Sequence, residues 1–182
     1  MIDLIAQRQF PCEPMTPEQF HAIYPHLIGW IDRTLTNHSH ATQSVESLGF
    51  RRLPQYYSSE LLASAKVAIV KQVPTPPLTS LGAGGFEAFE SMDAAGITYL
   101  DTYFVQTGEA GRESIHFHEL IHVVQWRVLG PERFLATYAN GLEKFGYRYS
   151  PLEVMAYDAE ARFKNDLVPF DAEHLVTKAL GR

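Results

Sequence analysis

Cysteine is all but missing from this chain: Cys12 stands alone among 182 residues. No intramolecular disulfide can form, and no cysteine-based metal site can be built. A reducing compartment suits such a composition, and any metal must be held by His, Asp and Glu. Positive charge is also scarce. The 15 Lys and Arg are outnumbered by 21 Asp and Glu, for a formal net charge of −6. No basic run exceeds Arg51-Arg52, so the electrostatic footprint that nucleic acids or anionic membranes require is absent, and neither partner is expected. No uninterrupted apolar run approaches the roughly 18 residues of a membrane-spanning helix. The first ten residues place Asp3 and Arg8 around a short apolar stretch with no small-residue cleavage site, so the expectation is a cytoplasmic protein without a secretory signal. Internal repeats, low-complexity tracts and linker-like segments are missing too, and one domain over residues 1–182 is expected.

What remains is enough for a packed core: 46% of the residues are hydrophobic and 20% charged. Thr16-Pro17-Glu18-Gln19 combines an N-cap, a proline at the first helical position and a capping-box glutamine. The apolar positions Phe20, Ile23, Tyr24, Leu27, Ile28 and Ile31 then continue at helical spacing and predict a helix over about 17–35, bent or split at Pro25. Lys66 to Val73 is β-branched, short and stopped by Pro74, as a strand should be. The alternation from Gly96 to Val105 predicts a second strand. The glycine loop Gly82 to Gly85 lacks the spacing and the following lysine of a phosphate cradle. Three helices follow. One covers about 114–129 and ends at Gly130-Pro131; one covers 131–145 and ends at Gly146; one opens with the capping box Ser150-Pro151-Leu152-Glu153 and runs to about Leu167. Residues 171–180 add a short terminal helix.

The first of these helices contains His118-Glu119-Leu120-Ile121-His122, the spacing H-E-x-x-H. Residues four apart share a helical face, so both imidazoles can reach one ion while Glu119 projects beside them. With 8 His and 14 Glu in the chain, chance would produce this spacing roughly 0.03 times. The neighbours Ile115, Leu120, Ile121, Val123, Val124 and Trp126 are apolar enough to bury the helix, and buried histidines need partners. A zinc ion supplies them. With three protein ligands and an open position it lowers the pKa of a bound water toward neutrality, and an adjacent carboxylate can accept the proton as that water attacks a carbonyl. Glu119 is placed for that role.

The third ligand is less sharply marked. The metzincin pattern would need Gly and His where Gln125 and Val128 stand. Downstream, Glu153, Ala156, Tyr157 and Glu160 fall on one helical face. Glu153 is the preferred ligand, although its place at the third position of a capping box also suits a capping glutamate; Glu160 is the alternative. Ala156 would leave room beneath the ion. Tyr147, Tyr149 and Tyr157 cluster around this segment, and Tyr157 is the best candidate for a phenol donating to a developing oxyanion. Gln125, seven residues after His118, could orient a ligand. His116 lies about 200° round the helix from the metal face and reads as packing, and the loop pair His38 and His40 lacks a third ligand.

The stretches Ile97 to Val105, His118 to Trp126 and Ser150 to Tyr157 together resemble the zincin metallopeptidases, specifically small gluzincin-like bacterial domains. The resemblance covers residues 97–165. It implies His118, His122 and Glu153 as zinc ligands, and the E-x-x-A pattern of Glu153 and Ala156 recurs in several such families. One departure concerns the residues behind the ligands: thermolysin-like chains carry an Asp four residues after the ligand glutamate, where this chain has Tyr157. The expected architecture is therefore α+β and zincin-like, with a small mixed sheet of three or four strands from residues 50–105 packed on the 114–129 helix and the 150–165 helix closing the zinc site. The expected function is zinc-dependent hydrolysis of peptide bonds in a peptide or protein substrate. The alternative is a catalytically silent zinc-binding module that acts in protein interaction.

Overall fold

The computed structural model describes residues 15–165 and 168–181; Cys12, the first ten residues and the expected helix end at Leu167 lie outside the described residues. The first helix, α1 (Pro17–His38), begins as its sequence predicts. The Gln19 amide donates to the Thr16 hydroxyl at 3.2 Å, and the Thr16 amide donates to the Gln19 side chain at 2.8 Å. Pro25 does not split it: α1 is one helix of 22 residues. A proline costs the helix one hydrogen bond and displaces one carbonyl, and the buried stripe Ile23, Leu27 and Ile31 anchors the turns that follow it.

There follow β1 (Thr42–Ser44), α2 (Ser59–Ser64), β2 (Lys66–Val70), the single turn α3 (Glu87–Glu90), β3 (Gly96–Tyr99), β4 (Thr102–Gln106), α4 (Glu113–Leu129), α5 (Pro131–Phe145), α6 (Pro151–Asn165) and α7 (Ala172–Leu180). The four strands form one mixed sheet in the order β1-β2-β4-β3. β2 and β4 run parallel, and both outer pairs are antiparallel. The architecture is α+β and largely helical.

Two strand expectations need correction. The first strand lies at Thr42–Ser44, upstream of the 50–105 window. The run from Gly96 to Val105 is a hairpin, with Tyr99 opposite Thr102 across the turn Leu100-Asp101. Leu100 adopts φ +56° there, a left-handed conformation that costs a residue with a Cβ on the order of 1–2 kcal/mol. Packing compensates, because folding the run back on itself buries Tyr99, Tyr103, Phe104 and Val105.

The centre of the molecule is α4. All twelve residues from Ile115 to Trp126 are buried, as for a helix covered on every side rather than along one stripe. β3 and β4 pack on it, as do α5, α6 and α7. One apolar core joins α2, β2, α4, α6 and α7, with Leu120, Ile121, Val123 and Phe163 at its heart. A second core lies between α1, the hairpin and α5, around Ile31, Phe104, Trp126 and Phe134.

Candidate metal centre

His118 and His122 are one turn apart on α4, and their Nε2 atoms face each other at 3.2 Å. Glu153, from the first turn of α6, completes a triangle: its Oε2 lies 3.4 Å from His118 Nε2 and its Oε1 lies 3.3 Å from His122 Nε2. The three residues are 5%, 5% and 1% exposed. A tetrahedral ion with bonds of about 2.0–2.1 Å sets its ligand atoms about 3.3–3.4 Å apart; the three contacts here are of that size, the two from Glu153 being made by its two different oxygens. Moreover, Glu153 Oε2 is buried with no hydrogen-bond partner, an omission that costs on the order of 1–3 kcal/mol. The buried group His118, His122 and Glu153 could hold a metal ion, and the orphaned oxygen is what such an ion would satisfy.

Glu153 reaches the site by giving up a different task. The expected capping box at Ser150 does not form: Ser150 Oγ has no partner, and the glutamate carboxylate turns toward the histidines. Its Oε1 also accepts a 2.7 Å hydrogen bond from the Tyr138 hydroxyl on α5, a residue no sequence pattern singled out. Burial would raise the Glu153 carboxyl, but the His122 and His118 imidazoles outweigh it and hold it below the ordinary carboxylate range.

The two histidines are backed differently. His122 Nδ1 donates to Gln125 Oε1 at 2.8 Å, and Gln125 in turn donates to the Leu152 carbonyl at 3.0 Å. That pairing fixes the amide and turns His122 Nε2 toward the candidate ion position. His118 Nδ1 is buried without a hydrogen-bond partner and lies at ion-pair distance, 3.4 Å, from Glu160 Oε2, whose other oxygen meets Lys164 at 2.5 Å. Glu153 and Glu160 therefore attend the two different nitrogens of one imidazole, and Glu160 supplies the carboxylate that Tyr157 cannot. Burial lowers the His118 pKa, but Glu153, Glu160 and Glu119 more than offset it and push it up to about 10. Fully buried Ala156 lies between the two carboxylates on α6.

Glu119 is 4% exposed. Its Oε2 accepts from the Thr98 hydroxyl on β3 at 2.6 Å, and burial raises its pKa against the pull of both histidines. Gly96 makes room for it, since a Cβ at that position would lie 2.5 Å from Glu119 Oε1. Trp126 locks helix to strand through a 3.2 Å bond to the Thr98 carbonyl.

The tyrosines divide. Tyr157 is half-buried, its ring 4.6 Å from that of His118 and covered by the Arg148 guanidinium at 3.5 Å. Tyr147 faces the same cavity as Glu119, His122 and Glu153, whereas Tyr149 is exposed. His116 points away, as helix geometry requires, and is fully buried. His38 Nδ1 donates to the Thr34 carbonyl of its own helix at 2.8 Å, and His40 is exposed; among the described residues they gather no third ligand.

Among the described residues no helix is long and apolar enough to cross a membrane. No family model, curated protein or solved structure matches the chain.

Proposed function

We propose that the protein is a zinc-dependent hydrolase of the zincin type, cleaving peptide bonds, with His118, His122 and Glu153 as ligands and Glu119 as general base. The observation that carries the reading is the convergence of two imidazole nitrogens and one buried carboxylate, their ligand atoms within 4.8 Å of one another and one carboxylate oxygen without a hydrogen-bond partner, beside a second buried carboxylate. Two nitrogens and one oxygen suit zinc, and three protein ligands leave a position open. Zinc held there supplies polarisation of a carbonyl and acidification of a water.

The chain supplies the rest. Gln125 and Glu160 orient the imidazoles, and Tyr138 orients Glu153. Thr98 fixes one oxygen of Glu119, leaving the other to take and return a proton. The raised pKa of Glu119 brings it closer to the operating pH, where a general base works best. Tyr147 and Tyr157 stand as hydroxyl donors near the ligands, and Tyr157 is assigned to the developing oxyanion.

The test is Glu119→Gln in protein reconstituted with zinc, assayed on a mixed peptide library by mass spectrometry. Zinc content stays near one equivalent while cleavage falls on the order of 10²-fold or more. A zinc-loaded wild type that cleaves nothing, matched by a mutant that behaves identically in cells, would instead favour the silent module.

A further inference from the structure

We propose that Arg148 binds the free C-terminal carboxylate of a peptide, so that the chain removes residues one at a time from that end. This rests on the hydrolase reading. Two cations flank His118, and they are placed differently. Lys164 stands on the Nδ1 side of the imidazole and is paired with Glu160. Arg148 approaches through Tyr157: its guanidinium lies over the tyrosine ring at 3.5 Å, and that ring lies 4.6 Å from the ring of His118. Elsewhere Arg112 and Arg127 are also paired, with Glu109 and Asp101. Arg148 is exposed, and among the described residues it meets no carboxylate.

The fold fixes where this cation stands. Arg148 belongs to the short turn Tyr147–Tyr149 that joins α5 to α6. The turn is entered through Gly146 at φ +72° and closed by the Ser150 amide, which donates to the Tyr147 carbonyl at 3.2 Å. Tyr147, the preceding residue, lines the cavity that also holds Glu119, His122 and Glu153, so the turn borders the candidate metal centre. A guanidinium stacked on an aromatic face keeps its N–H edge open, and that edge matches a carboxylate through two parallel hydrogen bonds.

Reach decides which anion fits. The two ring contacts place the guanidinium carbon within about 8 Å of the His118 ring centre. In a peptide the terminal carboxylate carbon is three bonds from the last amide carbonyl, one residue's span of roughly 3.3–3.6 Å, and N–H···O contacts of about 2.7–2.9 Å close the remainder. One residue therefore joins a carbonyl at the ligands to Arg148. Charge points the same way: with Glu119, Glu153 and Glu160 around the centre, an anionic terminus needs a cation beside it. Hydrolysis then adds one water across the last peptide bond. Its oxygen bonds to the carbonyl carbon, the C–N bond breaks, and a proton goes to the leaving nitrogen, which departs as a free amino acid.

The probes are succinic monohydroxamate and its terminal amide. Each chelates zinc through the hydroxamate and carries a carboxylate or carboxamide three bonds from that carbonyl, as a terminal residue does. Titrated by calorimetry into the zinc-loaded full chain, the acid should bind about 10- to 100-fold more tightly than the amide, the scale of a hydrogen bond to a charged group. Arg148→Gln should erase the difference and Arg148→Lys should restore part of it, while acetohydroxamate, which has no carboxylate, should bind all three chains alike. On peptides, mass spectrometry should show single residues lost from free C-termini, with KM raised by a similar factor in Arg148→Gln or when the C-terminus is amidated.

The metal-free chain gives a reading without zinc. N-acetylalanine should shift the Arg148 Nε–H resonance, assigned by its loss in Arg148→Gln, and N-acetylalaninamide should not. Equal affinity for the acid and amide probes, no shift with N-acetylalanine, or internal cleavage of amidated peptides as fast as of free acids overturns the proposal. Arg148-dependent cleavage of amidated peptides beside Asp or Glu would also overturn it, in favour of an acidic side chain as the anion. Failure to bind zinc, or a zinc-loaded chain that cleaves no peptide, would sink the hydrolase reading, and a persisting N-acetylalanine shift would leave the carboxylate site standing.

Discussion

Helix α4 carries buried histidines in two kinds of surroundings, separated by two residues. His116 has a partner for each nitrogen: Nδ1 lies 2.9 Å from the Tyr103 hydroxyl and Nε2 lies 2.9 Å from the Ala110 carbonyl. Burial lowers its pKa, and its Nε2 donates to the Ala110 carbonyl. His118 and His122 are equally buried, yet their Nε2 atoms face only each other and Glu153. The fold can satisfy a core histidine when it needs to. Where it leaves two of them and a carboxylate directed at one point, the group could hold an ion.

Breaking that comparison should give the largest effects. His118→Ala or His122→Ala should weaken zinc binding by at least about 10³-fold in chelator competition, since a ligand is lost from a three-ligand site. His116→Ala should do the opposite, keeping zinc while losing on the order of 1–3 kcal/mol of stability to denaturant, because Tyr103 and Ala110 are left unpaired. Zinc loss in the His116 variant would erase the distinction.

The two acidic residues of α6 sharpen it further. Glu153→Ala should release the metal, whereas Glu160→Ala should retain it with affinity reduced about 10- to 100-fold, the usual scale for a residue that orients a ligand from behind. The same competition assay ranks them, with thermal melts alongside to expose unfolding. The reverse ranking would make Glu160 the ligand.

The smallest effect is a proton. In the metal-free chain the His118 pKa is raised to about 10, so the stability it contributes is complete below its unfolded value of about 6.5 and is lost as pH climbs toward 10. Glu160 is lowered to about 2 by His118 and Lys164 against the effect of burial; its contribution is present above about 4.5 and is lost as pH falls toward 2. From these two groups the metal-free protein should melt highest between about pH 4.5 and 6.5. Zinc requires His118 neutral, so its binding at pH 7 should release about one proton and strengthen about tenfold per pH unit. Calorimetry in buffers of different ionisation enthalpy measures the count. A count of zero would mean that His118 is already neutral in the empty site.

Much of this was legible in the sequence, and the exceptions share a cause. The helices announced themselves through Pro and Gly punctuation, and α5 begins and ends where Pro131 and Gly146 place it. The H-E-x-x-H face was legible because helical spacing alone brings His118 and His122 together. The hairpin was not, because Leu100-Asp101 contains neither Gly nor Asn, and a two-residue turn leaves the alternation of an extended strand looking unbroken. Thr98, Gly96 and Tyr138 were invisible for another reason: each reaches Glu119 or Glu153 across a packing interface between elements distant in sequence. Glu160 was visible as a rival ligand, but only the crossing of α6 over α4 shows that it attends the far nitrogen of His118.

The enclosure of α4 from Ile115 to Trp126 bears on how the centre is assembled. A stretch of helix with no solvent-facing side has little route to local opening, so its amide protons should exchange with solvent only when the whole domain unfolds. The two histidines then sit on the slowest-exchanging segment of the molecule. Small zinc-dependent folds spend binding energy on ordering their own chain; here apolar contacts order the ligand helix in advance, and an ion held at this centre would enter a preformed socket.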